Sequence, residues 1–209
     1  MRLPEESLDV PGVYYPILKA LAMEGISFVE VMSIRTEFSI IFENKNILEA
    51  EKELINTLVQ EGALISAVPS GPEKLWSGPF RLPLEGPIVI TDTYGYSRLT
   101  GASTISHKGT DFRASVGTPV YAMNSGTVRF TQFLRNYGHT VIIDHGLGLH
   151  TIYMHLSKID VANGQSVSKG QLIAHSGDTG YVLGPHLHLT IRIGGISIDP
   201  EKFMTLLSE

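Results

Sequence analysis

The chain has 209 residues, of which 43% are hydrophobic and 18% charged, as expected for an ordinary globular protein of one or two domains. Its net charge of −5 argues against nucleic acid as a partner, because nucleic-acid-binding domains carry basic surfaces. No apolar run approaches the ~20 residues of a membrane span. The chain has no cysteine, so any metal site must be built from histidine, carboxylate and water.

The first part of the chain, residues 1–68, is predicted to be a small α+β domain. A Pro-Gly turn at residues 10–13 precedes apolar residues at helical spacing, and alternating stretches follow. Gly62 is predicted to end the second helix. The predicted order is helix, strand, strand, helix and strand, at residues 14–22, 26–34, 38–42, 47–60 and 63–68.

Residues 69–79 are predicted to be a linker, because a Pro-Ser-Gly-Pro cluster opens this stretch. From residue 80 to residue 209 helical periodicity disappears, and short strands alternate with glycine turns. Such spacing predicts a mostly antiparallel, all-β domain, so that the whole chain is α+β. The clearest strands are at residues 119–122, 126–130, 140–144, 149–154, 170–174 and 188–193.

Two histidines, His186 and His188, lie in the stretch 184–191 that leads into the last of these strands, and they project to the same side because side chains alternate along a strand. They are two metal ligands, one ligand beside an acid–base group, or a merely structural pair. His107 and Asp111 have a glycine between them, which allows the chain to turn back and present both side chains at once. With one histidine of the pair they supply the three ligands of an open catalytic zinc site.

His155 is a further candidate for the same cleft. It is predicted to share one strand face with Leu149, Thr151 and Tyr153. Hydrolysis by metal-activated water needs a group that takes a proton and a group that steadies the developing oxyanion. His155 and the non-ligand histidine of the pair fit these two tasks.

Residues 80–200 resemble the M23 family of zinc metallopeptidases, the lysostaphin-like and LytM-like peptidoglycan endopeptidases. The match rests on several motifs in the family's order, including the HxxxD of His107 and Asp111 and the closing HxH of His186 and His188. Other matching stretches are residues 80–86, 112–114, 117–120, 141–146, 153–157, 170–171 and 177–180.

This resemblance implies zinc held by His107, Asp111 and His188, with His155 and His186 as the catalytic pair. The expected activity is hydrolysis of peptide bonds in peptidoglycan cross-links or bridges. The alternative is a catalytically silent scaffold or regulator that binds cell wall or a partner hydrolase.

The sequence departs from the family pattern around the expected site. Leu189 and Thr190 follow the HxH where an aromatic and an acidic residue are common, and residues 181–183 are bulkier than usual. His139 and His175 also replace more usual residues. These changes are expected to affect substrate preference more than metal binding.

Several other residues have open or structural interpretations. His139, His145, His150 and His175 are expected to be structural or surface residues. Tyr94, Tyr96 and Arg98, in the loop before His107, either line the substrate groove or belong to a packed or solvated loop.

Residues 10–26 resemble the start of an ACT fold, a ferredoxin-like regulatory module that pairs by its edges and often binds an amino acid. The resemblance implies ligand sensing or homodimerisation, although little chain precedes the Pro-Gly turn to form the family's first strand. A small packing domain without ligand is equally consistent, and so is a domain that blocks the catalytic cleft. The expected location is the cell envelope or exterior, with a signal absent from this numbering, and a cytoplasmic location stays open.

Overall fold

The computed structural model describes residues 28–34, 37–42, 44–100 and 103–206. The first predicted helix, at residues 14–22, lies outside the described residues. Strands β1 (Phe28–Ile34) and β2 (Glu37–Phe42) pair as an antiparallel hairpin, in agreement with the predicted strands. Among the described helices, none combines the length and the apolar character that a membrane crossing requires.

Helix α1 (Asn44–Ser66) is longer than predicted. Gly62 does not end it, and the strand predicted at residues 63–68 is wrong, because the helix continues through most of that stretch. Glycine disfavours a helix by about 1 kcal/mol relative to alanine. Burial of Ile65, which is 4% exposed, against the neighbouring sheet outweighs this cost, since a buried isoleucine contributes about 1.5–3 kcal/mol.

Ten of the described strands form one antiparallel sheet, which confirms the mostly antiparallel β architecture. The longest path through this sheet runs β11-β8-β9-β10-β13-β6-β3, and β7, β12 and β14 pair at its margins. Strands β4 and β5 form a separate hairpin. The strands after α1 are β3 (Ile90–Asp92), β4 (Ser97–Thr100), β5 (Ser103–Ser106), β6 (Thr110–Arg113), β7 (Pro119–Tyr121), β8 (Gly126–Leu134), β9 (Gly138–Gly146), β10 (Leu149–Ile159), β11 (Ser166–Val167), β12 (Leu172–Ser176), β13 (His186–Ile193) and β14 (Ile196–Ile198), and helix α2 (Pro200–Leu206) follows them.

The two faces of the central strands pack in different ways. On β13 the odd-numbered residues Leu187, Leu189 and Ile191 are fully buried in the main core, which also receives Phe203 of α2. The opposite face carries a smaller apolar cluster, against which α1 packs through Ile65. The even-numbered residues of β13 therefore lie on the side of the sheet that α1 covers.

The stretch predicted as a linker is held against the β domain by hydrogen bonds. The backbone N–H of Gly71 donates to Asp144 Oδ2 at 2.9 Å, and the N–H of Leu75 donates to the carbonyl of His145 at 2.8 Å. The Asn124 side chain also bonds the backbone of residues 77–79. Residues 69–79 thus follow the surface of the sheet, and where one domain ends and the next begins stays a prediction.

A candidate metal centre and its cleft

Three ligand-type side chains converge where β6 meets β13. Antiparallel pairing places His188 directly opposite Asp111, and His107 lies in the loop that leads into β6. His188 Nδ1 is 2.7 Å from Asp111 Oδ1 and 3.0 Å from His107 Nε2, which is itself 3.1 Å from the same carboxylate oxygen. The structure therefore brings together the three residues expected to hold metal.

Gly109 makes this convergence possible. A Cβ at this position would lie 2.3 Å from the Leu189 carbonyl oxygen and 2.5 Å from His188 Nε2, far inside van der Waals contact. Only glycine allows the loop to lie this closely against β13. The glycine inside the HxxxD motif is thus what lets both ligands of the motif reach His188.

The surroundings of the three side chains fit a bound cation. His107 Nδ1 is 2.9 Å from the carbonyl of Thr93, an acceptor only, so Nδ1 carries the proton and Nε2 presents a lone pair. His188 Nε2 is 2.9 Å from the Thr190 hydroxyl, which can accept its proton and leave Nδ1 bare. Two lone pairs and a carboxylate oxygen then face one point, which is favourable only around a positive charge. Two nitrogen ligands and one oxygen ligand with an open fourth position suit zinc.

The electrostatics of the cluster favour an anionic Asp111. Burial opposes ionisation of this carboxyl, but in the metal-free cluster, where a proton can lie between these atoms, hydrogen bonds from His107 and His188 and nearby imidazole charge lower the pKa of Asp111 below the usual range. Burial lowers the pKa of His188, although its hydrogen bond to Asp111 acts in the opposite direction. Asp111 is therefore held as a carboxylate, and burial favours the neutral imidazole of His188, and these are the protonation states that bind metal.

His155 and His186 stand beside the cluster with their rings 4.8 Å apart. His155 Nδ1 is 2.9 Å from the Thr179 carbonyl, and His186 Nδ1 is 2.9 Å from the Gly184 carbonyl. Each Nδ1 therefore carries a proton, and Nε2 of each ring is left to exchange protons in the cleft. Burial, and then the charges of His186 and His188, lower the pKa of His155 well below 6.5.

The strand face of His155 differs from the prediction. Tyr153 belongs to the main core, whereas Met154 and His155 both line the cleft. The backbone of His155 has φ 61°, and the pairing of β10 with β9 shifts register between Tyr153 and Leu156. Such an irregularity turns a side chain to the other face of the sheet. The prediction that His155 shares a face with Tyr153 is wrong, although His155 does reach the cleft.

A cavity of about 220 Å³ lies over these residues, between the sheet and α1. His107, His155 and His188 contribute to its floor, and Leu54, Leu58 and Ile65 of α1 form one wall. Its remaining lining residues are Ser106, Lys108, Asn136, Tyr137, Met154, Tyr181, Thr190 and Arg192.

Sequence reasoning missed some of the residues that shape this site. Thr190 was noted only as a departure from the family pattern, yet its hydroxyl orients His188. The contribution of Thr93 is a backbone carbonyl, which no side-chain pattern reveals. Strand alternation could have identified Thr190, because it lies two residues beyond His188 on the same face.

The other candidates whose side chains the structure describes do not contribute those side chains to the cluster. Tyr94 donates a hydrogen bond of 2.7 Å to the Ser197 carbonyl, and Tyr96 is 56% exposed. Neither lines the cavity, and the side chain of Arg98 lies outside the described part of the structure. The four remaining histidines contact structural partners, with His139 near Phe133, His145 near Ser125, His150 near Pro69 and His175 near Asp160.

Comparison with known proteins places these observations in a family. The sequence model of peptidase family M23 matches residues 105–200. The peptidoglycan DD-endopeptidase ShyA of Vibrio cholerae serotype O1 is 40% identical over 124 residues, which are 58% of this chain and 29% of ShyA. The chain thus spans less than a third of the length of that relative.

Solved structures show the same similarity. A zinc-containing peptidase from Vibrio cholerae superposes with a TM-score of 0.57 and 32% identity, covering 62% of this chain and 40% of that one. The catalytic domain of the antimicrobial peptidase lysostaphin from Staphylococcus simulans gives a TM-score of 0.52 and 32% identity, covering 56% of this chain and 92% of that domain. The family match falls on the stretch that carries the metal cluster, and the chain therefore belongs to peptidase family M23.

Proposed function

We propose that this protein is a zinc-dependent endopeptidase that hydrolyses peptide bonds in peptidoglycan cross-links or bridges. The observation that carries the proposal is the meeting of three ligand atoms, His107 Nε2, Asp111 Oδ1 and His188 Nδ1, beside two further imidazoles. Three protein ligands with an open position are typical of catalytic rather than structural zinc.

The proposed chemistry assigns a separate task to each group. His107, Asp111 and His188 would hold zinc, which would supply Lewis-acid chemistry toward the scissile carbonyl and make the attacking water more acidic. His155 and His186 present Nε2 to the cleft, where a neutral imidazole accepts a proton from the attacking water and a protonated one stabilises negative charge on the carbonyl oxygen. The Thr179 and Gly184 carbonyls fix the orientation of the two rings. Thr93 and Thr190 do the same for the histidine ligands.

The substrate class rests on the relatives. ShyA is named as a peptidoglycan DD-endopeptidase, and Mpg of Neisseria meningitidis, 42% identical over 94 residues, as a DD-carboxypeptidase/endopeptidase. Action on cell wall by this chain, at the envelope or exterior of the cell, is the corresponding proposal. The hairpin β1–β2 followed by α1 keeps part of the ACT-like order and supports a small α+β module before the peptidase domain.

Hydrolysis of purified cross-linked peptidoglycan tests this function. The zinc-loaded full chain is expected to release uncross-linked muropeptides that mass analysis identifies, and chelation of zinc is expected to abolish the release. The bond that is cut follows from the masses of the products. The alternative is a catalytically silent scaffold or regulator. It would be supported if the parent and variants that open the cleft bind one zinc ion per chain but hydrolyse no peptidoglycan at any pH.

A further inference from the structure

Helix α1 closes the cleft over the metal centre. The exposed fractions of His107, His155 and His188 are only 6%, 7% and 8%. Leu54, Leu58 and Ile65 of α1 line the cavity above them. A cross-linked polymer cannot reach side chains buried this deeply, so α1 must move before such a substrate binds. This step rests on the proposed function.

One polar contact dominates the docking of α1. Glu61 is 6% exposed, and its carboxylate accepts hydrogen bonds from three donors in the turn between β8 and β9. Glu61 Oε1 accepts a hydrogen bond from the backbone N–H of Arg135. Glu61 Oε2 accepts two hydrogen bonds from Asn136, one from its backbone N–H and one from its side-chain Nδ2, and both are 3.0 Å long. The Glu53–Arg135 ion pair and a hydrogen bond of 3.0 Å from Arg192 to Ser66 flank this contact.

The turn that carries these three donors forms part of the wall of the catalytic cleft. Asn136 and the neighbouring Tyr137 line the cavity together with His155. The carbonyl of Tyr137 accepts a hydrogen bond of 2.9 Å from the N–H of His155, and the carbonyl of Asn136 accepts one of 2.8 Å from Tyr181. The turn is thus fixed to the catalytic strand by hydrogen bonds that do not involve α1.

Three converging N–H donors in a buried site favour an anionic acceptor such as the carboxylate that they bind here, because charge-assisted hydrogen bonds are roughly twice as strong as neutral ones. We propose that the Arg135 and Asn136 amides form a carboxylate-binding subsite of the substrate cleft. Glu61 occupies this subsite as an intramolecular substitute for a substrate carboxylate and so holds α1 over the metal centre. The ligand is a peptide with a free carboxylate, either C-terminal or on a side chain.

Peptide titrations of the 209-residue chain without zinc test the subsite directly. The probes are N-acetyl-trialanine, its C-terminal amide, and N-acetyl-Ala-Glu-Ala amide, followed through the Asn136 amide signals in NMR spectra. Glu61→Ala is expected to bind one or both carboxylate peptides about tenfold or more tightly than the neutral amide, and the preferred one identifies the source of the carboxylate. The matched control, Gln60→Ala, alters an exposed neighbour on the same helix and is expected to bind none of them, like the parent.

A second variant covers the case in which apolar contacts keep α1 docked without Glu61. Glu61→Ala combined with Ile65→Ser removes the main apolar anchor as well, and its near-UV circular dichroism reports whether the β domain stays folded. Equal affinity for acidic and neutral peptides, or no binding to either folded variant, would overturn the proposal. Adding Asn136→Asp should abolish the preference for carboxylate.

Activity measurements separate this inference from the proposed function. If the zinc-loaded protein hydrolyses peptidoglycan, Glu61→Ala is expected to raise kcat/KM about tenfold, while Gln60→Ala leaves it unchanged. Unchanged turnover in Glu61→Ala and in the double variant would contradict a closing role for α1. If no variant hydrolyses peptidoglycan, the proposed function fails, whereas the titration still decides whether the subsite exists.

Discussion

Asp111 and His155 have different parts in the proposed reaction, so their variants are expected to fail in different ways. Asp111→Ala removes a ligand and should lose both zinc and activity. His155→Ala leaves all three ligands in place, and it should keep zinc while losing about 100-fold or more in kcat. Zinc content by atomic absorption and release of muropeptides measure the two effects separately.

His175→Ala serves as the control for this pair, because His175 lies beside Asp160 and outside the cleft. It is expected to keep both zinc and activity. A His155→Ala protein that cleaves peptidoglycan at the parental rate would show that the proton-transfer role belongs to another group.

At the scale of single elements, α1 offers a test of the helix that sequence patterns ended too early. The space around Gly62 is open, and a Cβ added to this residue would meet no atom within 4 Å. Gly62→Ala is therefore expected to raise the free energy of unfolding by about 0.5–1 kcal/mol, measured by chemical denaturation. Ala63→Gly, at the adjacent exposed position, should lower it by a similar amount. Destabilisation by Gly62→Ala would show that the helix does not run through this residue.

The elements around the site show how far sequence patterns reach. Alternation along β13 correctly predicted that His186 and His188 share a face, because the period of two is fixed by the backbone. The side on which His155 lies was not predictable, since a local register shift leaves no mark in the alternation. The position of α1 was left open for a related reason. Apolar spacing shows which face of a helix is buried but not which surface buries it.

At the scale of the whole molecule, proton uptake by His145 makes the free energy of unfolding depend on pH. It is fully buried, with Nδ1 2.7 Å from the Ser125 carbonyl and Nε2 2.8 Å from the Thr151 hydroxyl, which lies 3.0 Å from that of Tyr153. A neutral imidazole satisfies this chain by donating from Nδ1 and accepting at Nε2. Burial lowers the pKa of His145 to about 4, so a proton that binds the unfolded chain near pH 6.5 is excluded from the fold.

The sign of the effect follows from proton uptake. Between pH 6.5 and about 4 the unfolded chain binds more protons at this residue than the folded chain, so stability falls as pH falls. The difference between the pKa of His145 in the unfolded chain and its pKa in the fold corresponds to a loss of about 3 kcal/mol in the free energy of unfolding. His145→Asn keeps a donor toward Ser125 but cannot take up a proton. Its free energy of unfolding is expected to be lower than that of the parent at pH 7.5 and to change less on acidification to pH 4.5.

Urea denaturation of both proteins at closely spaced pH values measures the difference. Contributions from the other buried histidines appear in both curves and cancel in the comparison. The contribution of Asp144 to stability is distinguished from that of His145 by the pH range in which it changes. The pKa of Asp144 is also lowered in the fold, so its contribution is lost only below about pH 4. Parallel curves for parent and variant would show that His145 takes up its proton equally well in the folded chain, and the hydrogen-bond chain through Thr151 would then have to accommodate a charged imidazole.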